Sequence, residues 1–294
     1  MAGRERMISE DVIRDLVHRR ARRPQAVLEA ARARRRLTGW GDERLMIIAA
    51  DHPARGSIAV RDRPDAMANR LDLLDRLRVA LGRPGVHGIL GTADIIEDLL
   101  LLGDLEGKLV IGSMNRGGMT GAVFELDDRF TGYDADTIAL MNFDGGKMLC
   151  RIDPADAGTV ATLESCGRAV TDLAHRERMA MVEPLPVSRV DGRAQLDPRP
   201  DALIRAISVG QALGGTSAYT WLKVPVVEEM DRVLQATTLP VMLLGGDAGT
   251  EEAYAAWQKA LDSPAVRGLV AGRALLYPHD DDVAAAVDTA VALL

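Results

Sequence analysis

Cysteine, histidine and aromatic residues are all scarce in this 294-residue sequence: two cysteines, five histidines and 3% Phe, Trp and Tyr combined. Cys150 and Cys166 show neither CxxC nor Cys/His ligand spacing, which argues against a disulfide framework and a structural zinc site. The histidines are scattered too, so neither a metal nor any other cofactor is expected. No run of about 18 apolar residues is present, and the N-terminal MAGRERMISED lacks the apolar stretch of a signal peptide. These absences predict a cytoplasmic protein with no membrane partner. No GxGxxG follows the first apolar run, which disfavours a dinucleotide-binding, doubly wound sheet.

What the chain does have is a large apolar fraction, 47%, enough for a sizeable core. Its net charge of −7 is unevenly spread. Residues 1–40 hold 11 arginines against 5 acids, concentrated in RRARRP (19–24) and RARRR (32–36). No aromatic residues interleave with these arginines, so nucleic acid is not the expected partner. The simpler reading is a basic helical extension whose charged face meets solvent, or an acidic surface of the same or a neighbouring subunit. The expected organisation is one domain over 1–294, with 1–40 as that extension.

From residue 45 onward, short apolar runs bounded by Gly, Pro and Asp alternate with longer amphipathic segments, the pattern of βα units around a parallel sheet. Eight strands are predicted: 45–51, 87–90, 108–114, 147–152, 179–184, 219–225, 240–246 and 268–273. Helices are predicted over 64–81, 157–177, 201–213, 250–262 and 281–294, with one or two more within 8–37. Strands and helices of this number and order predict a (β/α)8 TIM barrel with extra N-terminal helices. The stretch 112–134, rich in Gly, Asp and Arg, reads as a long loop after the third strand, on the barrel face where sites are built.

Several charged residues then stand where strands end. Asp51 closes the first predicted strand, Glu183 the fifth, and Lys223 sits near the end of the sixth, within YTWLKVPVV. Lys147 either opens the fourth strand or lies just before it. Side-chain alternation puts Asp51 on the face of Ile47 and Ala49, Glu183 on that of Met179 and Met181, and Lys223 on that of Tyr219 and Trp221. A lysine in an apolar strand is costly to bury, and the same burial, helped by a second cation, lowers the amine's proton affinity and makes it a nucleophile for carbonyls. Lys223 beside Lys147 has that setting, Glu183 can carry protons, and Asp51 can orient or deprotonate a substrate hydroxyl. The glycines of LLGGD (Gly245, Gly246) and AGRALL (Gly272), with Arg273, follow the last two strands, where barrels often bind phosphate. A snorkelling lysine, a structural Lys147–Glu183 ion pair and tight turns at the glycines are the bland alternatives.

GGKMLCRIDPAD, MAMVEPL, WLKVPVV, PVMLLGGD and VAGRALL, in this order and spacing, resemble the class I, Schiff-base aldolases. The likeness is to the branch with tagatose-bisphosphate aldolase and the bacterial class I fructose-bisphosphate aldolases, and it extends over residues 45–277. It implies Lys223 as the Schiff-base lysine, Glu183 as the proton-transfer residue, Lys147 as the neighbouring cation and Asp51 as the strand-end carboxylate. Gly245, Gly246, Gly272 and Arg273 would bind a substrate phosphate. Where tagatose-bisphosphate aldolase carries a serine at the end of the seventh strand, this chain has Gly245, and AADHPARGS resembles the Asp-His-Gly ending of the bacterial branch but has Pro53 in place of the glycine. The sequence also resembles barrel proteins associated with myo-inositol catabolism, which implies cleavage of 2-deoxy-5-keto-gluconate 6-phosphate to dihydroxyacetone phosphate and malonate semialdehyde. The expected partner is a phosphorylated sugar or keto acid, the expected assembly a homo-oligomer. A catalytically silent sugar-phosphate-binding barrel is the alternative, and a metal-dependent aldolase finds no His-rich ligand set at the strand ends.

Overall fold

A computed structural model describes residues 8–245 and 251–294. Its strands are β1 (Leu45–Ala49), β2 (Gly88–Gly91), β3 (Leu109–Ser113), β4 (Gly145–Ile152), β5 (Met179–Val190), β6 (Arg193–Leu196), β7 (Thr220–Val224), β8 (Val241–Leu244) and β9 (Val266–Ala271). Eight of them pair in parallel around a ring, β1-β2-β3-β4-β5-β7-β8-β9 and back to β1. This is a closed (β/α)8 TIM barrel. The helices between strands are α3 (Arg70–Leu81), α4 (Ala93–Leu102), α5 (Ala135–Leu140), α6 (Gly158–Ala174), α7 (Pro200–Gly210), α8 (Met230–Leu234) and α9 (Glu251–Leu261). Two more, α10 (Arg273–Leu276) and α11 (Val283–Val291), follow the last strand. None of the described helices is long and apolar enough to cross a membrane.

Alternation along the strands divides the core in two. Leu45, Ile47, Ala49, Leu90, Leu109, Ile111, Met179, Met181, Met242 and Val270 fill the barrel interior. The residues between them, such as Met46, Ile48, Val110, Met148, Val182, Leu222 and Leu243, pack outward against the helices. Leu37 and Trp40, which precede β1, pack on the interior cluster together with Trp221, and the Trp40 and Trp221 ring centroids lie 5.8 Å apart. The end of the barrel next to the strand N-termini is therefore filled by apolar side chains, which leaves the opposite mouth for chemistry.

The basic N-terminal segment forms α1 (Glu10–Arg22) and α2 (Ala26–Ala33), and its arginines meet acids of the same chain. Arg20 pairs with Glu97 at 3.0 Å and Asp98 at 2.9 Å on α4. Arg34 and Arg36 converge on Asp144, at 3.2 and 2.7 Å.

Two elements differ from the sequence expectation. The helix predicted from residue 64 starts at Arg70, because the Asn69 side chain accepts from Asp72 N at 3.1 Å and caps it there. The fifth strand continues past Glu183 to Val190 and turns into β6 as an antiparallel hairpin, with Val187 opposite Leu196 and Val190 opposite Arg193. Asp191 and Gly192 both have positive φ, 51° and 78°, the tight hairpin turn for which an Asp-Gly pair is suited.

Candidate active site

The interior rows of side chains lead directly to the charged residues. In β1 the row Leu45, Ile47, Ala49 is continued by Asp51, and in β5 the row Met179, Met181 by Glu183; in β7 Trp221 is followed by Lys223. Lys147 is the third residue of β4 and stands opposite Ser113 and Met181 in register, so it projects inward as a strand residue. All four are buried at the carboxyl mouth of the barrel.

They form one chain of ionic contacts. Lys223 Nζ donates to Glu183 Oε1 at 2.6 Å. The other carboxylate oxygen of Glu183 pairs with Lys147 Nζ, which also reaches Asp51 Oδ2 at 3.5 Å. Asp51 Oδ2 in turn pairs with the Arg116 guanidinium and accepts from Ser113 Oγ at 3.0 Å, while Arg116 Nε donates to the same hydroxyl at 3.0 Å. Signs alternate along the string Arg116, Asp51, Lys147, Glu183, Lys223, which is how buried charges are tolerated.

The electrostatics follow from burial and this order of charges. Burial lowers the proton affinity of Lys223; Glu183 works against that shift, and Arg116 and Arg273 reinforce it. Lys147 is held well below its ordinary value by burial and then by Arg116. Burial alone would raise the Glu183 carboxyl, but Lys147 and Lys223 outweigh it and keep the group ionised far into acid. Burial pushes Arg116 down to about 10, with Glu183 and Asp128 working against the shift and Arg151 adding to it.

These groups line a cavity of about 210 Å³. Arg55, Arg116, Lys147, Lys223 and Arg273 line it against two carboxylates, Asp51 and Glu183, a cationic surplus in a protein whose net charge is −7. His52 is also in the wall. Its ring keeps a quarter of the side-chain surface exposed, while Nδ1 is buried, without a hydrogen bond, and 3.9 Å from Asp51 Oδ1. Burial and then the charges of Arg273, Lys223 and Lys147 push this imidazole down to about 3. Among the described residues, no group of three or more His, Cys, Asp or Glu is disposed to hold a metal ion.

The four glycine-and-arginine positions separate. Gly245 and Arg273 line the cavity. Gly272 is not in its wall; a Cβ there would run into the carbonyl oxygen of Ala49, so close packing of β9 against β1 accounts for it. Gly246 lies outside the described residues.

Residues 43–291 match the Cgl0159-like family. The chain belongs to that family. The crystal structure of Cgl0159 from Corynebacterium glutamicum is similar to it at 49% identity and a TM-score of 0.95, covering 98% of each chain. An archaeal fructose 1,6-bisphosphate aldolase shares the fold at 18% identity and a TM-score of 0.65, over 91% of this chain and 98% of its own. A Schiff-base-forming fructose-1,6-bisphosphate aldolase does so at 17% identity and a TM-score of 0.64, over 91% and 99%. No curated protein matches the chain. At such low identity the aldolase structures establish the barrel and nothing finer.

In this family member the site contains residues that the sequence did not single out: Arg55, Ser113 and Arg116. His52, in the cavity wall, is another. In the segment after β3, Asn115 is tied to β4, donating to Leu149 O at 2.6 Å and accepting from Leu149 N at 2.7 Å. Asp128 is buried against Arg151, and Asp127 and Arg129 pair with each other outside the cavity.

Proposed function

We propose that the chain is a class I aldolase, which cleaves or forms a C–C bond in a phosphorylated ketose or keto acid through a Schiff base on Lys223. The observation that carries this reading is the Lys223–Glu183–Lys147 arrangement at the mouth: a buried amine with lowered proton affinity, hydrogen-bonded to a carboxylate that a second ammonium also holds. Lys223 gives its ammonium proton to Glu183 and attacks the substrate ketone as the free amine, and a nitrogen proton then moves to the oxyanion to give the carbinolamine. Glu183 then returns that proton to the carbinolamine hydroxyl, which leaves as water and gives the iminium. Asp51 takes the proton of the hydroxyl on the far carbon of the bond to be broken, that carbon becomes the aldehyde as the bond cleaves, and the bond's electron pair is delivered to the iminium, forming an enamine. Lys147 steadies the carboxylate charges throughout.

The cationic surplus of the wall supports an anionic substrate. A phosphate is placed, on this reading, beside Arg273 and the backbone of Gly245, after β9 and β8. Two negative groups, a phosphate and a carboxylate, suit the surplus further, which makes 2-deoxy-5-keto-gluconate 6-phosphate the substrate we favour, with dihydroxyacetone phosphate and malonate semialdehyde as products. Incubation with dihydroxyacetone phosphate followed by borohydride should leave a reduced adduct that mass spectrometry maps to Lys223. Absence of any adduct at Lys223 across a panel of ketose phosphates would overturn the proposal.

A further inference from the structure

Arg116 reaches the site from the segment after β3, and that segment is fixed so as to deliver it. Asn115 bridges Phe130 across the loop, Arg116 N donates to Thr131 Oγ1 at 3.1 Å, and Ser113 Oγ braces its Nε. The guanidinium is thereby placed on Asp51 Oδ2, the same oxygen to which Lys147 is drawn at 3.5 Å. Asp51 is thus already neutralised, and Lys147 is left in its closer contact with Glu183.

We infer that Arg116 is a positioning residue for the Schiff-base amine: it occupies Asp51, keeps Lys147 on Glu183, and so prevents Glu183 from holding Lys223 as a full ammonium ion. The inference rests on the proposed role of Lys223. Each contact in the string shifts when its end is removed. Without Arg116, Asp51 draws Lys147 towards itself, Glu183 turns its charge on Lys223 alone, and a cation that repels both lysines is gone; all three changes favour a protonated, unreactive Lys223. The burial-driven loss of proton affinity at Lys147 and Lys223, to which Arg116 adds, has the same sign. Among the described residues, the other charged or titratable groups of the wall around Lys223 are Glu183 from β5, Lys147 from β4, Asp51, His52 and Arg55 after β1 and Arg273 after β9; Leu244 at the end of β8 and Gly245 after it are uncharged. Of these cations Lys147 stands 3.5 Å from Asp51 Oδ2, and its move onto Asp51 is the change that the inference invokes.

The test is the rate of borohydride-trapped adduct formation with dihydroxyacetone phosphate as a function of pH, in the wild type, Arg116→Gln and Arg116→Lys. The expected result for Arg116→Gln is a loss of at least about tenfold at neutral pH that is recovered as the pH rises, with Arg116→Lys close to wild type. A rate lowered equally at every pH, or an unshifted profile, overturns the inference, because a merely structural loss would not move the profile. Ser113→Ala removes the brace and should shift the profile in the same direction by less, which covers the case in which Arg116→Gln does not fold. If wild type forms no adduct at all, the aldolase reading fails on its own. The inference is then decided by carbon-13 NMR titration of Lys223 after reductive methylation with labelled formaldehyde: its transition should lie at higher pH in Arg116→Gln, and an unmoved transition overturns it.

Discussion

Lys223 donates to Glu183 Oε1 at 2.6 Å, and both groups are buried at the mouth of the barrel. A hydrogen bond between a strand 7 amine and a strand 5 carboxylate crosses one inter-strand step, since β5 and β7 are direct neighbours, with Val182 opposite Leu222. Proton transfer between the two therefore needs no movement of the backbone.

Glu183→Gln tests that transfer. The isosteric amide keeps the packing but removes the charge that holds a proton on Lys223, so the amine remains able to attack a ketone. Dehydration of the carbinolamine loses its proton carrier. The adduct with dihydroxyacetone phosphate should still be trappable on long incubation but form more slowly, because borohydride reduces the iminium that dehydration yields, while kcat falls by roughly 10²- to 10⁴-fold. A kcat within a factor of about three of wild type would remove Glu183 from the proton-transfer role.

The cluster of charged residues at the barrel mouth was readable because charged residues are conspicuous at the ends of apolar runs, and a period of two tells which of them face the barrel axis. The sequence allows Lys147 either in the strand or just before it, while Asp51, Glu183 and Lys223 follow that rule. Arg116 does not: it lies in an irregular stretch with no period, and only the bridge from Asn115 to Phe130 and the Thr131 contact aim it inward. Long-range pairings of this kind leave no local trace in sequence. The β5–β6 hairpin was different, since the Asp191-Gly192 pair between alternating residues is a turn signal in its own right. Gly272 answers to a constraint that the sequence does not display, since its missing Cβ makes room for the Ala49 carbonyl.

His52 should make the fold acid-sensitive. Its imidazole is pushed down to about 3 from 6.5 in the folded chain, by burial first and then by Arg273, Lys223 and Lys147. Between these two values the unfolded chain binds the proton and the folded chain does not, so stability is lost as the pH falls from 6.5 towards 3. His52→Gln removes the titration from both states. The urea midpoint of the variant should therefore decline less steeply than that of wild type between pH 7 and pH 4. Parallel curves would show that the ring is protonated in the folded state without cost.

Asp144 anchors the N-terminal segment to the barrel. Its carboxylate takes Arg34 at 3.2 Å, Arg36 at 2.7 Å and the backbone N–H of Val110 at 2.8 Å, and the Arg34 side chain is only 2% exposed. Asp144→Ala leaves Arg34 buried without its counter-charge, which costs about 3–5 kcal/mol. Adding Arg34→Met to that variant removes the stranded charge and should restore a measurable part of the loss. Chemical denaturation of the single and double variants distinguishes this from simple loss of packing, for which the second substitution would add to the damage.

Gly245 explains why a serine is not simply interchangeable at this strand end. A Cβ on Gly245 would lie 2.7 Å from Ala271 Cβ and 3.2 Å from Trp257, both closer than carbon atoms pack. Gly245→Ser, which would supply the hydroxyl found there in tagatose-bisphosphate aldolase, forces β8 and β9 apart at the cavity wall and should cost about 1–3 kcal/mol of stability. Ala271→Gly opens the space from the other side. The double variant should regain thermal stability relative to Gly245→Ser, and only in that background can the added hydroxyl be judged for its effect on KM. If Gly245→Ser alone is as stable as wild type, the wall yields more easily than its packing indicates, and crowding is not the reason for glycine at this position.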